Sequence, residues 1–367
     1  MKRNEALKGV KSQVRRIRAY TLRAHEAEVK LNQNENPYDF PEELKDEIYR
    51  IYRQRQWSRY PDFVPDGIRG RLAEFAGWKK DGVLIGNGSN EVLQAALMVL
   101  VGSRSRVAIP APTFTLYSLM SRILGAKVVE IPLNPDLSYN VEQLIAKSAE
   151  ARAKVLVVCT PNNPTGSVLA DTDARRILDH FEGYVLLDEA YYDFNGQTAV
   201  GLLESYPKLI ITRTFSKSMG MAGLRVGYLL AHPDLAAEIS KAKLPYNVNQ
   251  FTLTAIQVAL DHPEKFRPAI DRILAEKTRL GTELEGIPGI RVYPSGANFF
   301  LFELPVPPGA VFEELYRRGV LVRDVSAYPM LSRCLRVSIG TREENDRFLS
   351  VLRNSLAAIA TAEPKEG

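Results

Sequence analysis

The sequence predicts an α/β protein built round a central, mostly parallel β-sheet, and three observations carry that prediction. Short apolar runs recur through the middle of the 367-residue chain, with helix-period stretches between several of them. The runs are apolar throughout instead of alternating, the pattern that a strand covered on both faces requires. Towards the C-terminus two apolar runs stand beside two helical patterns, which predicts a second, smaller α+β domain.

The elements follow in order. Residues 1–30 hold nine Lys/Arg against three Asp/Glu, leaving the remainder nearly neutral at 39 against 40. In that arm Leu7, Val10, Val14 and Ile17 recur at steps of three and four, predicting an amphipathic helix with a cationic outer face, docked on the protein. "VLIG" from Val83 reads as a strand leading into a helix over Glu91–Leu100. "RVAIP" from Arg106, "KVVEIP" from Lys127, "KVLVVCTP" from Lys154, "YVLLDEA" from Tyr184 and "LIITRT" from Leu209 follow as further strands. Beyond Thr214 the small residues Gly220, Ala222 and Gly223 read as a turn or tight packing. Helical patterns over Pro268–Glu285 and Val311–Arg318 accompany the runs "ANFFLFEL" and "CLRVSIG". The expected division is an arm over residues 1–40 that joins the small domain, a large domain over 41–260, and a small C-terminal domain over 261–367.

Composition excludes several classes. With 45% hydrophobic and 25% charged residues the chain is an ordinary globular one. No apolar run is long enough to span a bilayer, and "MKRNEALKGV" lacks a signal-peptide core, so we expect a cytoplasmic protein with no membrane contact. Cys159 and Cys334 cannot build a disulfide framework, and His25, His180, His232 and His262 lack ligand spacing, so no metal site is expected. The formal charge of +5 resides in the arm, and the near-neutral body gives no support for a nucleic-acid partner.

In an open parallel sheet, ligands gather at the carboxyl ends of the strands. Lys217, in "RTFSKSMGMAGLRVGYLL", lies just past one such end, with the hydroxyls of Thr214 and Ser216 and the guanidinium of Arg225 nearby in sequence. That set suits holding a phosphate while an amine reacts with a carbonyl, which suggests pyridoxal phosphate; the plain alternative is a structural loop. Gly88, Ser89 and Asn90 open a helix whose first N–H groups can bind phosphate, unless they form an ordinary cap. "CTPNNPTG" either presents Asn163 at the sheet edge or is merely a rigid loop. Asp188 ends an apolar strand and needs a cationic partner, which a pyridinium or a buried salt bridge would supply. Tyr191 is placed to bond the cofactor's phenolic oxygen or to be a structural tyrosine. Phe114 is placed to stack on a ring or to pack in the core.

The segments "KLNQNENPY", "RYPD", "GNGSNEVL", "PTFTLY", "TPNNPTG", "LLDEAYYDF", "RTFSKSMGMAGLRVGY" and "CLRVSIGTREEN" together resemble the motif series of the histidinol-phosphate aminotransferases, over nearly the whole chain. The resemblance implies the fold-type-I architecture of pyridoxal-phosphate enzymes, with the cofactor in the large domain. It implies that Lys217 carries the cofactor and moves the catalytic proton, and that Asp188 pairs with the pyridine nitrogen. Asn163 and Tyr191 would meet the 3-oxygen, and Phe114 would stack where the family often has tyrosine. Ser89, Asn90, Thr214, Ser216 and Arg225 would hold the phosphate, with Asn90 standing where aspartate is frequent. Tyr60 would reach that phosphate from a neighbouring subunit, which implies a homodimer with shared sites. Arg336, Arg323, Tyr20 and Asn34 would bind substrate. The implied reaction exchanges an amino group between L-histidinol phosphate and 2-oxoglutarate. An aminotransferase for aromatic or other amino acids and a threonine-phosphate decarboxylase share most of these motifs.

Overall fold

The computed structural model describes residues 5–19 and 26–362. In chain order the strands are β1 (Val29–Lys30), β2 (Val83–Asn87), β3 (Arg106–Ala111), β4 (Lys127–Pro132), β5 (Val155–Cys159), β6 (Tyr184–Asp188), β7 (Leu209–Thr214) and β8 (Val226–Ala231). They continue with β9 (Arg291–Val292), β10 (Phe299–Glu303), β11 (Val320–Leu321), β12 (Arg323–Asp324) and β13 (Cys334–Ser338). Seven of them form one sheet in the order β2-β8-β7-β6-β5-β3-β4. Pairing from β7 through β4 is parallel, and β8 runs antiparallel to both its neighbours. The six apolar runs are all strands of this sheet. Their composition follows from its two covered faces: along β5, Leu156 and Val158 enter one core and Val155 and Val157 the other.

Strand β8 is the element that the sequence reading passed over. The run "VGYLLA" is wholly buried, but the sequence had offered only a turn or tight packing at Gly220, Ala222 and Gly223 before it. The short connection Phe215–Arg225 holds no helix. A strand rejoining its neighbour without a crossover helix must come back antiparallel, and β8 does.

A four-stranded antiparallel sheet, β12-β13-β10-β9, carries a separate apolar cluster that includes Phe299, Phe302, Val337 and Phe348. The helices Pro308–Arg317 and Arg267–Glu285 match the two helical patterns, the first beginning at a proline, whose missing N–H costs nothing at that position. Strand β1 pairs in parallel with β11, tying the later part of the arm 1–40 to this region. The expected continuous arm helix does not form. Among the described residues, turns follow the helical Glu5 up to Gly9, which sits at φ 88°, and the short helix Ser12–Arg16 comes after it. Leu7 and Val10 are exposed, while Val14 and Ile17 are half-buried. A glycine at positive φ interrupts the helix, and so brief an apolar stripe cannot restore it.

Candidate active site

A cavity of about 200 Å³ opens where the carboxyl ends of β5, β6 and β7 meet the four-stranded sheet. Its only acidic lining residue is Asp188, against Lys217, Arg225, Arg323 and Arg336. Such a lining selects an anionic ligand.

Asp188 ends β6 and is 5% exposed. The Tyr117 hydroxyl donates to its Oδ2 at 2.6 Å, and its Oδ1 has no hydrogen-bond partner among the described residues. Burial pushes the carboxyl above the usual carboxylate range, with the Tyr117 hydrogen bond opposing that shift. The buried salt bridge at this strand end belongs to the next residue, Glu189, which meets Arg213 at 2.9 Å. Asp188 thus keeps one oxygen for a cationic N–H. Tyr191 accepts from Asn34 Nδ2 at 3.0 Å and from Asn163 Nδ2 at 3.3 Å, which leaves its own proton to donate.

The phosphate-sized corner is built by glycines. Gly88, at φ 85°, caps the helix Ser89–Leu100 without a side chain, so the first N–H groups of that helix have no side-chain cap. A Cβ on Gly88 would lie 2.3 Å from Arg225 Nη2, and one on Gly227 would lie 2.1 Å from Ser89 N. The helix start, the guanidinium and β8 therefore approach as closely as only glycine allows. Thr214 Oγ1 donates to Ser216 Oγ at 2.9 Å, and Arg225 Nη1 reaches the same oxygen at 3.4 Å. Amides, hydroxyls and an arginine converging at a helix N-terminus fit a phosphate.

Lys217 is half-buried, with Nζ donating to the Gln33 carbonyl at 2.8 Å. Burial and then the Arg336 charge lower its amine to about 8. Arg336, 6% exposed, donates to Asn163 Oδ1 and to the Asn32 carbonyl, the latter at 2.7 Å. Arg323 is directly opposite Arg336 in the β12–β13 register. Like charges opposed across an antiparallel pair are unfavourable unless an anion lies between them.

Thirteen of the residues singled out in the sequence line this one cavity: Asn34, Ser89, Asn90, Phe114, Asn163, Asp188, Tyr191, Thr214, Ser216, Lys217, Arg225, Arg323 and Arg336. Two remain. Tyr20 falls outside the described residues. Tyr60 lies elsewhere, 79% exposed and stacked on Tyr246 with centroids 4.5 Å apart. Sequence reasoning missed Asn32, Gln33, Tyr117, Cys159, Ala190, Val325 and Tyr328, which line the cavity too. For Tyr117 a signal existed: it stands three residues after Phe114, within one helical turn. Among the described residues no His, Cys, Asp and Glu cluster forms a metal site, and no helix is long and apolar enough to cross a membrane.

Fold and site define a class, the aminotransferases of class I and II, whose family model matches residues 26–352. A histidinol-phosphate aminotransferase of Chlorobaculum tepidum is 42% identical over 329 residues, covering 89% of this chain and 94% of that one. The chain belongs to the histidinol-phosphate aminotransferase family. Among solved structures, the histidinol-phosphate aminotransferase of Sinorhizobium meliloti in complex with pyridoxal-5'-phosphate superposes with a TM-score of 0.87, at 21% identity over 96% of this chain and 98% of that one. An L-threonine-O-3-phosphate decarboxylase of Porphyromonas gingivalis reaches 0.80, at 24% identity over 90% and 99%. At such identities both speak for the fold alone.

Proposed function

We propose that this enzyme transfers the amino group of L-histidinol phosphate to 2-oxoglutarate, giving imidazole-acetol phosphate and L-glutamate, reversibly, with pyridoxal 5'-phosphate as cofactor. The observation that carries the substrate reading is the pair Arg323 and Arg336, opposed in register in the cavity that holds Lys217 and Asp188. One site must take a substrate phosphate and, on the other half-reaction, a second carboxylate, and a pair of guanidiniums serves both.

When bound, the cofactor supplies an electron sink and a carrier for the amino group. Asp188 would accept from the ring nitrogen, Asn163 and Tyr191 would meet the 3-oxygen, and Phe114 would stack on the ring. Ser89, Asn90, Thr214, Ser216 and Arg225 would hold the phosphate. Lys217 would hold the cofactor through its amine and would serve as the base and acid that moves the substrate's α-proton. An amine lowered to about 8 is suited to both duties near neutral pH. Arg336 would hold the carboxylate or phosphate of the substrate with Arg323, and Asn34 and Tyr20 are the further substrate-binding residues of this reading.

The reading includes a cytoplasmic homodimer, with a large domain over residues 41–260 and the arm 1–40 joined to the small domain 261–367. Exposed Trp57 (72%), Tyr60 (79%) and Phe63 (67%) support a shared interface there, from which Tyr60 would enter the partner's site. Purified enzyme assayed with glutamate against a panel of acceptors tests the assignment. Imidazole-acetol phosphate should be used best. Preference for phenylpyruvate would favour an aromatic aminotransferase, and carbon dioxide released from threonine phosphate would favour the decarboxylase.

A further inference from the structure

On the reading that the enzyme binds pyridoxal phosphate, we infer that Tyr117 is a positioning residue for the ring nitrogen. Its hydroxyl occupies Asp188 Oδ2, so that Oδ1 is the oxygen left to take the ring N–H. The contact is short, 2.6 Å, and Oδ1 is the atom without a partner among the described residues. Tyr117 is completely buried in the helix Thr115–Ile123, and its ring meets that of Phe114 edge-on, with centroids 5.6 Å apart at 83°. One turn of backbone thus offers the cofactor a stacking ring and steers the carboxylate beneath it.

Tyr117 is the largest of the donors that favour the charged form of Asp188, with Thr212 and the Ala190 amide adding to it. In register, Asp188 lies between Cys159 of β5 and Thr212 of β7, and burial favours its neutral form. The other titratable groups around it do not help. Burial keeps the Cys159 thiol and the Tyr191 phenol protonated, and Glu189 is engaged by Arg213. A hydroxyl bonded to the ionised carboxylate favours the charged form and fixes its rotamer. Burial, together with the Asp188 charge, pushes the Tyr117 phenol well above its ordinary range, so it remains a donor at every working pH.

Tyr117→Phe keeps the ring and removes the donor. In apoprotein the Kd for pyridoxal phosphate should rise about tenfold, the scale of one charge-assisted hydrogen bond. In an Asp188→Asn background the same substitution should change Kd less than about twofold, because the carboxylate it serves is gone. Difference infrared titration of apoprotein labelled with 13C-aspartate should show the Asp188 carboxyl ionising at higher pH in Tyr117→Phe. Equal losses in both backgrounds, or an unmoved carboxyl titration, would overturn the inference and leave Tyr117 a packing residue. If the unmodified apoprotein took up no pyridoxal phosphate, the functional reading would fail instead, and the infrared titration would still decide the link to Asp188. Should Tyr117→Phe not fold, 3-fluorotyrosine at position 117, a stronger donor, should lower the Asp188 titration, and no shift there would count against the inference.

Discussion

Lys217 should behave as a neutral amine far more often than an ordinary lysine, and Arg336 should be one cause. Its amine is lowered to about 8 from a normal 10.5, by burial first and the Arg336 charge second. At pH 7 that leaves about 9% of it neutral against about 0.03% for a free lysine, roughly a 300-fold gain in nucleophile. Trace labelling of apoprotein with acetic anhydride across a pH series, followed by peptide mapping, reads this directly at Lys217. The labelling midpoint should fall near 8 in the unmodified protein and move upward in Arg336→Met, remaining below 10.5 because burial persists. The linkage sign agrees: between 8 and 10.5 the unfolded chain binds the extra proton, so this group makes apoprotein stability rise with pH across that window. A midpoint near 10.5 in the unmodified protein, or no movement in Arg336→Met, would refute the electrostatic account of this lysine.

Gly227→Ala would drive a Cβ to 2.1 Å from Ser89 N, so cofactor affinity measured by equilibrium dialysis should fall and the fold should lose about 1–3 kcal/mol by thermal denaturation. Arg323→Ala should cut kcat/KM for histidinol phosphate about tenfold or more, with a smaller loss for glutamate; equal losses would show that Arg323 supports the site without selecting phosphate. Co-expressed Lys217→Ala and Tyr60→Phe subunits should give heterodimers with one unmutated site and recovered activity, and verified heterodimers without recovery would argue against sharing.

The parallel strands were legible because each is covered on both faces, which forces a continuous apolar run such as "VLVVC". The residues that line the cavity were legible for a related reason: a polar side chain soon after such a run stands at the sheet's carboxyl edge, as Asn163, Asp188 and Lys217 do. Other parts of the site obeyed no such rule. Gln33 acts through its backbone carbonyl on Lys217, and a carbonyl carries no sequence signature. Asn34 reaches Tyr191 only because it adopts φ 55°, a conformation that asparagine tolerates but does not announce. Asp188 raised the question of its partner correctly, yet its protein partner is a hydroxyl, Tyr117, and the buried ion pair belongs to Glu189.

The reversal of β8 explains how Arg225 comes to lie beside Ser89 and Ser216. Arg225 immediately precedes β8, and in a parallel strand that position would fall at the amino edge of the sheet, away from Asp188 and Lys217. Running antiparallel, β8 sets Gly227 opposite Thr214 of β7 on one side and Gly86 of β2 on the other. Its beginning therefore meets the carboxyl ends of both neighbours. Arg225, at φ 56°, turns the chain into the strand there and reaches Ser216. Gly227 lets β8 pass under Ser89, and Gly88 clears the volume that the guanidinium fills. Gly227 is thus what lets β8 and the helix start lie so close: a larger residue there would push the Ser89 backbone away from Arg225.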